Sequence, residues 1–278
     1  MTRAGARQLA VLGFAVVPGW FEPAPLSAEF DATMAAAFVD ADHLNAGAIG
    51  NRFRYVPMMG ASTPVSLDLL ARLATLAADL TEADVLPTRA KATTYVGSAR
   101  WHRDSDLPVR SFGFACYLEP LAADTGALRV LPGSHHLDFG DAVAIHLSEG
   151  AELVGVAVPT KPGDVIVFDE HLFHSSNGGT AARRQWRVDF VVDDGASDEV
   201  LRAYYGRQYS VGWDGGYDID RYPSYGNQWR TMSSTWNRRL DQVGAYAAAA
   251  AEESAVRQSR SVGPSVSSNS PSIDRHDR

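Results

Sequence analysis

The 278-residue sequence predicts an α+β protein with a β-sandwich core, and three observations support this class. Apolar residues repeat at helical spacing in two segments near the start of the chain. Residues 91–192 then contain short apolar runs divided by Gly, Pro, Asn and Asp, which is typical of the closely spaced strands of a sandwich or barrel. Helices precede strands without alternating with them, and no glycine-rich phosphate loop stands at a strand-to-helix turn. These features argue against a nucleotide-binding α/β sheet.

Each helix is predicted from one apolar stripe. The first follows Pro25, and the second follows Ser66, which we expect to be its N-cap. The stripes consist of Leu26, Phe30, Met34 and Phe38 in the first helix, and of Leu69, Leu73, Leu76 and Leu80 in the second.

The chain begins with a segment that resembles a signal peptide. Residues 9–17 are apolar and follow Arg3 and Arg7, but Pro18 and Trp20 stand where a small-residue cleavage site belongs. We therefore predict that residues 9–17 form a buried strand.

Charge and cysteine content exclude several classes of protein. With 25 basic and 33 acidic residues the net charge is −8, which argues against binding to nucleic acids or to anionic membranes. No apolar run approaches the roughly 20 residues that cross a bilayer. Cys116 is the only cysteine, so an intrachain disulfide is impossible, and we expect a cytoplasmic protein.

One domain is predicted over residues 1–245, with its β-sandwich core at about 91–192. Nine aromatic residues lie between Tyr204 and Trp236. Two interpretations of this aromatic-rich segment, about 200–240, stay open. It is either a long loop whose rings pack on the sandwich, which we favour, or a lid that closes over a substrate. Residues 246–278 are predicted to be a disordered tail, because residues 252–278 hold eight serines and no aromatic residue.

The candidate chemistry begins at His102 and Asp104. In an extended segment, residues two apart face the same side, so this imidazole and carboxylate can bind one metal ion. A distant histidine would complete two histidines and one carboxylate, an arrangement that leaves positions open and suits Fe(II). Both His171 and His174 are available. We prefer His174 because small polar residues follow it, and we prefer Asp104 to Asp106 as the carboxylate ligand.

Several segments together resemble the phytanoyl-CoA dioxygenase family of Fe(II)- and 2-oxoglutarate-dependent oxygenases. They occur in the family's order and cover about residues 8–192. The segments are LGFAVV at 12–17, WHRD at 101–104, TGALRVLPGSH at 125–135, GDVIVF at 163–168 and HSSN at 174–177, with arginines after them. The resemblance implies a double-stranded β-helix, a cupin-like jelly roll with flanking N-terminal helices and a metal near one end.

By position, the resemblance assigns His102, Asp104 and His174 as iron ligands. It also assigns Ser176 to the far carboxylate of 2-oxoglutarate. The family's carboxylate-binding arginine usually stands about eleven residues after the distal histidine, where this chain has Gln185. A loop one residue shorter would place Arg184 there, whereas the alternation of strand faces favours Arg187, and both stay open.

The resemblance implies that Fe(II), 2-oxoglutarate and O₂ act together on a small-molecule substrate. We expect hydroxylation in specialised metabolism, with desaturation, ring closure and epimerisation left open. Halogenation is not expected, because family members that halogenate have a small residue in place of the carboxylate at Asp104. Two other hypotheses remain, namely a cupin-like metalloenzyme that does not use 2-oxoglutarate and a jelly-roll binding module without catalysis. The oligomeric state is not predicted.

Overall fold

The structure is a computed structural model, and it describes residues 3–38, 44–47, 49–179, 182–210, 216–232 and 234–261. The helices of this part are α1 (Arg3–Leu12), α2 (Pro23–Ala37), α3 (Pro64–Thr81), α4 (Leu137–Ser148), α5 (Asp198–Gln208), α6 (Asn227–Met232), α7 (Ser234–Gln242) and α8 (Ala245–Ser261). A bilayer could not be crossed by any helix in these ranges, since none is both long and apolar enough.

The strands are short and follow one another closely, as the punctuated sequence predicts. They are β1 (Phe14–Val17), β2 (Asn45–Ala46), β3 (Arg52–Pro57), β4 (Val85–Pro87), β5 (Lys91–Val96), β6 (Ala99–His102), β7 (Ser111–Tyr117), β8 (Thr125–Val130), β9 (Val156–Val158), β10 (Val165–Asp169), β11 (His174–Gly178) and β12 (Arg183–Val192).

These strands form two antiparallel sheets. The larger has the order β1-β10-β7-β12-β5-β3-β2, with β4 also paired to β12, and the smaller has the order β6-β11-β8-β9. The predicted α+β class is confirmed. The core is larger than the expected 91–192, because β1 pairs with β10 and β3 pairs with β5.

Both predicted helices are confirmed. They correspond to α2 and α3, and the residues of their apolar stripes are buried. The predicted N-cap of α3 is wrong, since the helix begins at Pro64 and Ser66 lies inside it. The carboxylate of Glu29 on α2 accepts hydrogen bonds from the amides of Val65 and Ser66, each at 2.8 Å. A negative charge at a helix N-terminus is stabilising, so α2 supplies the cap that the local sequence lacks.

The prediction of one strand over residues 9–17 is also wrong. Helix α1 ends at Leu12. The next residue, Gly13, has a φ of +79°, a conformation that favours glycine and terminates the helix. Strand β1 starts only at Phe14 and pairs with β10. The apolar run is therefore divided between a helix and a strand.

The aromatic-rich segment contains helices α5, α6 and α7, which the expectation of a loop had missed. Seven of its nine aromatic rings are buried. The buried rings are Tyr204, Tyr205, Tyr209, Tyr217, Tyr222, Tyr225 and Trp229. Trp213 lies outside the described residues.

The expectation of disorder from residue 246 is wrong as far as Ser261, because Ala245–Ser261 forms helix α8. Glu252 forms a bidentate ion pair with buried Arg89, in which Nη2 of Arg89 donates to Oε1 of Glu252 at 3.0 Å. Val256 is buried as well. Composition alone could not reveal that this polar helix has a partner about 160 residues earlier in the chain. The remainder of the predicted tail, 262–278, lies outside the described residues.

Truncation after Ala251 is consequently expected to destabilise the protein. Arg89 would keep its buried charge and lose its carboxylate, and breaking a buried pair in this way costs about 3–5 kcal/mol. For a chain of this size we expect the melting temperature to fall by about 10 °C. Thermal melts of the full chain, of a chain ending at Ala251 and of a control ending at Ser261 test this. Identical melting of the first two would contradict the role given to α8.

Candidate active site

The three proposed metal ligands meet where β6 and β11 pair. His102 is the last residue of β6, His174 is the first of β11, and the two are direct partners in the antiparallel register. Asp104 follows His102 by two residues. The strand pairing therefore places two histidines that are 72 residues apart side by side, with their ring centroids 4.2 Å apart.

The orientation of these side chains suits a single metal ion. One nitrogen or oxygen atom of each lies within 4.8 Å of the others. Nε2 of His102 is 3.6 Å from Oδ1 of Asp104, and Nε2 of His174 is 3.6 Å from Oδ2. The Nδ1 atoms instead contact the carbonyl oxygens of Arg100 and Leu172, at 2.8 and 2.9 Å. Such bonds orient each ring and leave Nε2 free for a metal.

The charges of the site also favour metal binding. Burial opposes ionisation of Asp104, but the Arg187 guanidinium and the two imidazoles outweigh it and hold the pKa of Asp104 well below its usual range. Burial, followed by the neighbouring His102, lowers the pKa of His174 to about 4. A carboxylate and a neutral imidazole are the forms that bind metal ions.

Arg187 lies on the inner side of β12, as the alternation of strand faces predicts. Its Nη2 donates to Oδ2 of Asp104 at 2.7 Å, and its Nε donates to Oδ1 of Asp189 at 2.5 Å. The guanidinium therefore holds the proposed carboxylate ligand. Its Nη2 also lies 3.6 Å from Oε1 of Glu170, and this engagement with three carboxylates argues for positioning Asp104 rather than for receiving 2-oxoglutarate.

Arg184 faces the other side of the sheet. Its Nη1 donates to Asp31 at 2.8 Å and to Ser27 at 3.0 Å, and its Nε lies 3.3 Å from Glu119. The expectation that Arg184 anchors the cosubstrate does not agree with this position. Successive residues of a strand point to opposite faces, so Arg184 cannot share the inner face with Arg187.

Arg183 is the inward arginine that the sequence interpretation passed over. It is only 4% exposed, and its Nη1 and Nη2 donate to the carbonyls of Gly126 and Gly97 at 2.8 and 2.6 Å. Its Nε has no hydrogen-bond partner in the described part of the chain, and the same holds for Oε1 of Gln185. The alternation of faces could have identified Arg183, because it shares the inner side with Gln185 and Arg187.

Two cavities meet at the proposed metal site. The smaller, about 60 Å³, is bordered by Arg183, Gln185, His174 and Ser176. The larger, about 280 Å³, reaches His102 and Asp104 from the other side. Both are bordered by Ile49, Asn51, Tyr95, His102 and Arg187.

The alternative ligands are placed differently. His171 contacts Asp169 through Nδ1 at 3.0 Å and the carbonyl of Leu107 through Nε2 at 2.8 Å, so neither nitrogen is open to a metal. Its hydrogen bond to Asp169 raises the pKa of His171. Asp106 pairs with Arg103. In the described ranges, His102, Asp104 and His174 are the one group of three such side chains close enough to share a metal ion.

Glu170 was not identified from the sequence. It is fully buried beside the larger cavity, where it accepts hydrogen bonds from Tyr204 at 2.9 Å and from Gln208 at 3.3 Å. Burial, with the nearby carboxylates of Asp189 and Asp104, raises the pKa of Glu170 to about 7. No sequence pattern distinguishes it, because its partners come from the distant helix α5.

The chain is similar in sequence to known dioxygenases. The family model of phytanoyl-CoA dioxygenase matches residues 12–185. Ectoine dioxygenase of Sphingopyxis alaskensis is 27% identical over an alignment 184 residues long, and the match covers 51% of this chain. The match spans 58% of the length of that relative.

Solved structures show the same fold. The iron-bound crystal structure of EctD from S. alaskensis has a TM-score of 0.54 and 26% identity, over 69% of this chain and 77% of that one. AviO1 from Streptomyces viridochromogenes Tue57 has a TM-score of 0.55 and 24% identity, over 70% of this chain and 96% of that one. EctD has also been crystallised with 2-oxoglutarate and 5-hydroxyectoine, and this structure has a TM-score of 0.53 and 24% identity, over 69% of this chain and 76% of that one. The predicted jelly-roll fold is confirmed.

Proposed function

The chain belongs to the phytanoyl-CoA dioxygenase family, and from this membership we propose that it is a non-haem Fe(II)- and 2-oxoglutarate-dependent oxygenase. The observation that carries the proposal is the group His102, Asp104 and His174, whose free Nε2 atoms and carboxylate converge within 4.8 Å. Two histidines and one carboxylate with open positions form the site that non-haem Fe(II) oxygenases use.

The residues around this group fit an iron ion. Backbone carbonyls fix both imidazole rings, and Arg187 fixes the carboxylate of Asp104. The ring of Phe168 packs 5.0 Å from that of His174 and shields it from water. When bound, Fe(II) together with 2-oxoglutarate and O₂ would supply the oxidising power of the reaction.

The smaller cavity fits the far carboxylate of 2-oxoglutarate. Nε of Arg183 is a buried donor without a partner, and leaving such a group unpaired is costly. A carboxylate oxygen would satisfy it through a charge-assisted hydrogen bond. Ser176, which borders the same cavity and accepts a hydrogen bond from the amide of Ala99 at 3.2 Å, can donate its hydroxyl proton to that carboxylate.

The larger cavity is then the place for the substrate, since it reaches His102 and Asp104. Its volume of about 280 Å³ suits a small molecule. We propose that the reaction oxidises a C–H bond in the biosynthesis of a small metabolite, and hydroxylation is the reaction that we favour. Ectoine dioxygenase, a relative by sequence, has been crystallised with a hydroxylated small molecule, which supports this reaction class.

Anaerobic titration tests the proposed function directly. Fe(II) and 2-oxoglutarate added together are expected to produce a metal-to-ligand absorption band that neither produces alone, and admission of O₂ should then convert 2-oxoglutarate to succinate. Iron binding without this band would indicate a cupin-like metalloenzyme that does not use 2-oxoglutarate. Absence of iron binding would indicate a jelly-roll binding module without catalysis.

A further inference from the structure

Lys91 borders the larger cavity and keeps hydrogen-bond donors that the described part of the protein does not use. Its Nζ donates to Oδ2 of Asp189 at 2.9 Å, its one ion pair or hydrogen bond among the described residues. An ammonium group has three N–H donors, so two of them still lack an acceptor. The Lys91 side chain borders the cavity and is 15% exposed.

Two of the three carboxylates that border the cavity are covered, whereas the third, Asp104, is 19% exposed and bonded to Arg187. The side chain of Asp189 is 1% exposed behind Lys91 and Arg187, and that of Glu170 is 0% exposed behind Tyr204 and Gln208. The ammonium group of Lys91 is therefore more accessible from the cavity than the carboxylate of Asp189 that pairs with it. Asp189 and Glu170 already accept hydrogen bonds from the protein, whereas Lys91 uses one of its three donors.

Lys91 is also held in place relative to the metal site. It stands opposite Arg187 in the register of β5 and β12, and Asp189 bonds both cations. Arg187 in turn bonds Asp104. A chain of three hydrogen bonds thus connects the ammonium to the proposed iron ligand.

Part of the cavity lining is suited to an apolar body. Ile49, Phe53 and Tyr95 contribute apolar surface there. Asn51, which is 5% exposed, adds one polar contact, because its Oδ1 has no hydrogen-bond partner in the described ranges. The cavity therefore combines the ammonium of Lys91 with an apolar surface and the amide of Asn51.

Building on the proposed function, we propose that Lys91 binds an anionic group of carboxylate size on the substrate and so determines which small molecules are accepted. The chain has only two lysines among its 25 basic residues. A lysine acts as a compact charge with three donors, whereas arginine presents a planar fork. An ammonium backed by Asp189 can receive the substrate anion and keep Asp189 paired.

Three probes of the same shape test this, added to the anaerobic complex of the protein with Fe(II) and 2-oxoglutarate. They are cyclohexanecarboxylate, its amide and cyclohexylmethylamine, and binding is followed through the change in the absorption band. We expect the carboxylate to bind about 10-fold to 100-fold more tightly than the amide, the range of a charge-assisted hydrogen bond. The amine is expected to bind most weakly.

Lys91→Met should abolish this preference for the carboxylate, and Lys91→Arg should retain part of it. Lys161→Met is the matched control, because it makes the same substitution at the other lysine, which is exposed and outside both cavities. The ranking of the probes on the wild-type protein decides the proposal even where Lys91→Met does not fold.

Equal binding of carboxylate and amide, tightest binding of the amine, or no binding of any probe would overturn the proposal. Loss of the band on adding the carboxylate would also overturn it, since the probe would then be displacing 2-oxoglutarate. Failure of the proposed function gives a different result, because the band would not form before any probe is added.

Discussion

His174→Ala is expected to abolish both iron binding and 2-oxoglutarate turnover while the protein stays folded. His174 supplies one of only three proposed protein ligands, and its Nδ1 contacts only a neighbouring carbonyl. The loss should exceed the 10-fold to 100-fold that typically follows removal of a residue supporting a metal ligand. His102→Ala and Asp104→Ala should behave in the same way. Iron content after anaerobic reconstitution, succinate formation and a thermal melt measure the three effects.

His171→Ala is the control for this experiment. Because both of its ring nitrogens already contact oxygen atoms of Asp169 and Leu107, its removal should leave iron binding intact. Arg187→Met is expected to give an intermediate result, since Asp104 would keep its place on the chain and lose the guanidinium that orients it. Loss of iron in His171→Ala with iron retained in His174→Ala would show that the ligand assignment is wrong.

The second large effect is expected at Arg183. Arg183→Met should raise the Kd of 2-oxoglutarate by about 10-fold to 100-fold, the equivalent of about 1.5–3 kcal/mol for a hydrogen bond to a charged group. The physical reason is that a carboxylate in the smaller cavity would lose its positive partner, and neutral Gln185 cannot replace that charge. Anaerobic titration of 2-oxoglutarate into the Fe(II)-loaded protein, followed by the absorption band, measures this Kd.

Arg184→Met provides the matched control on the neighbouring residue. Its side chain bonds Asp31 and Glu119 on the opposite face of β12, so the Kd of 2-oxoglutarate should not change. Arg183 also bonds two backbone carbonyls, and a thermal melt of Arg183→Met separates loss of binding from loss of folding. If Arg184→Met weakens 2-oxoglutarate binding and Arg183→Met does not, the cosubstrate does not occupy the smaller cavity.

The sequence by itself determined the features that depend on local chain geometry. Apolar residues four apart identified the buried faces of α2 and α3. The spacing of His102 and Asp104, two residues apart at the end of a strand, placed them where both can face one metal ion. The alternation of strand faces likewise placed Arg187 on the inner side of β12. These rules succeed because the backbone sets the direction of each side chain within a few residues.

The tertiary structure alone decided which groups those side chains meet. The choice among Arg183, Arg184 and Arg187 as the residue that binds 2-oxoglutarate depended on what covers each face of the sheet. Only the fold shows that Arg187 is already bonded to Asp104, while Nε of Arg183 has no partner in the described part of the chain. Likewise, only the fold shows that Lys91 pairs with Asp189 through one hydrogen bond and keeps its other two donors.

The same reason explains the error over the end of the chain. A polar helix is stable in water only when packing supports it, and composition describes the helix without its partner. The structure supplies that partner in Arg89, whose buried charge requires a carboxylate, and Glu252 reaches it from 163 residues away. Burial raises the energy of an unpaired charge, so contacts between distant segments determine both the order of α8 and the chemistry of the site.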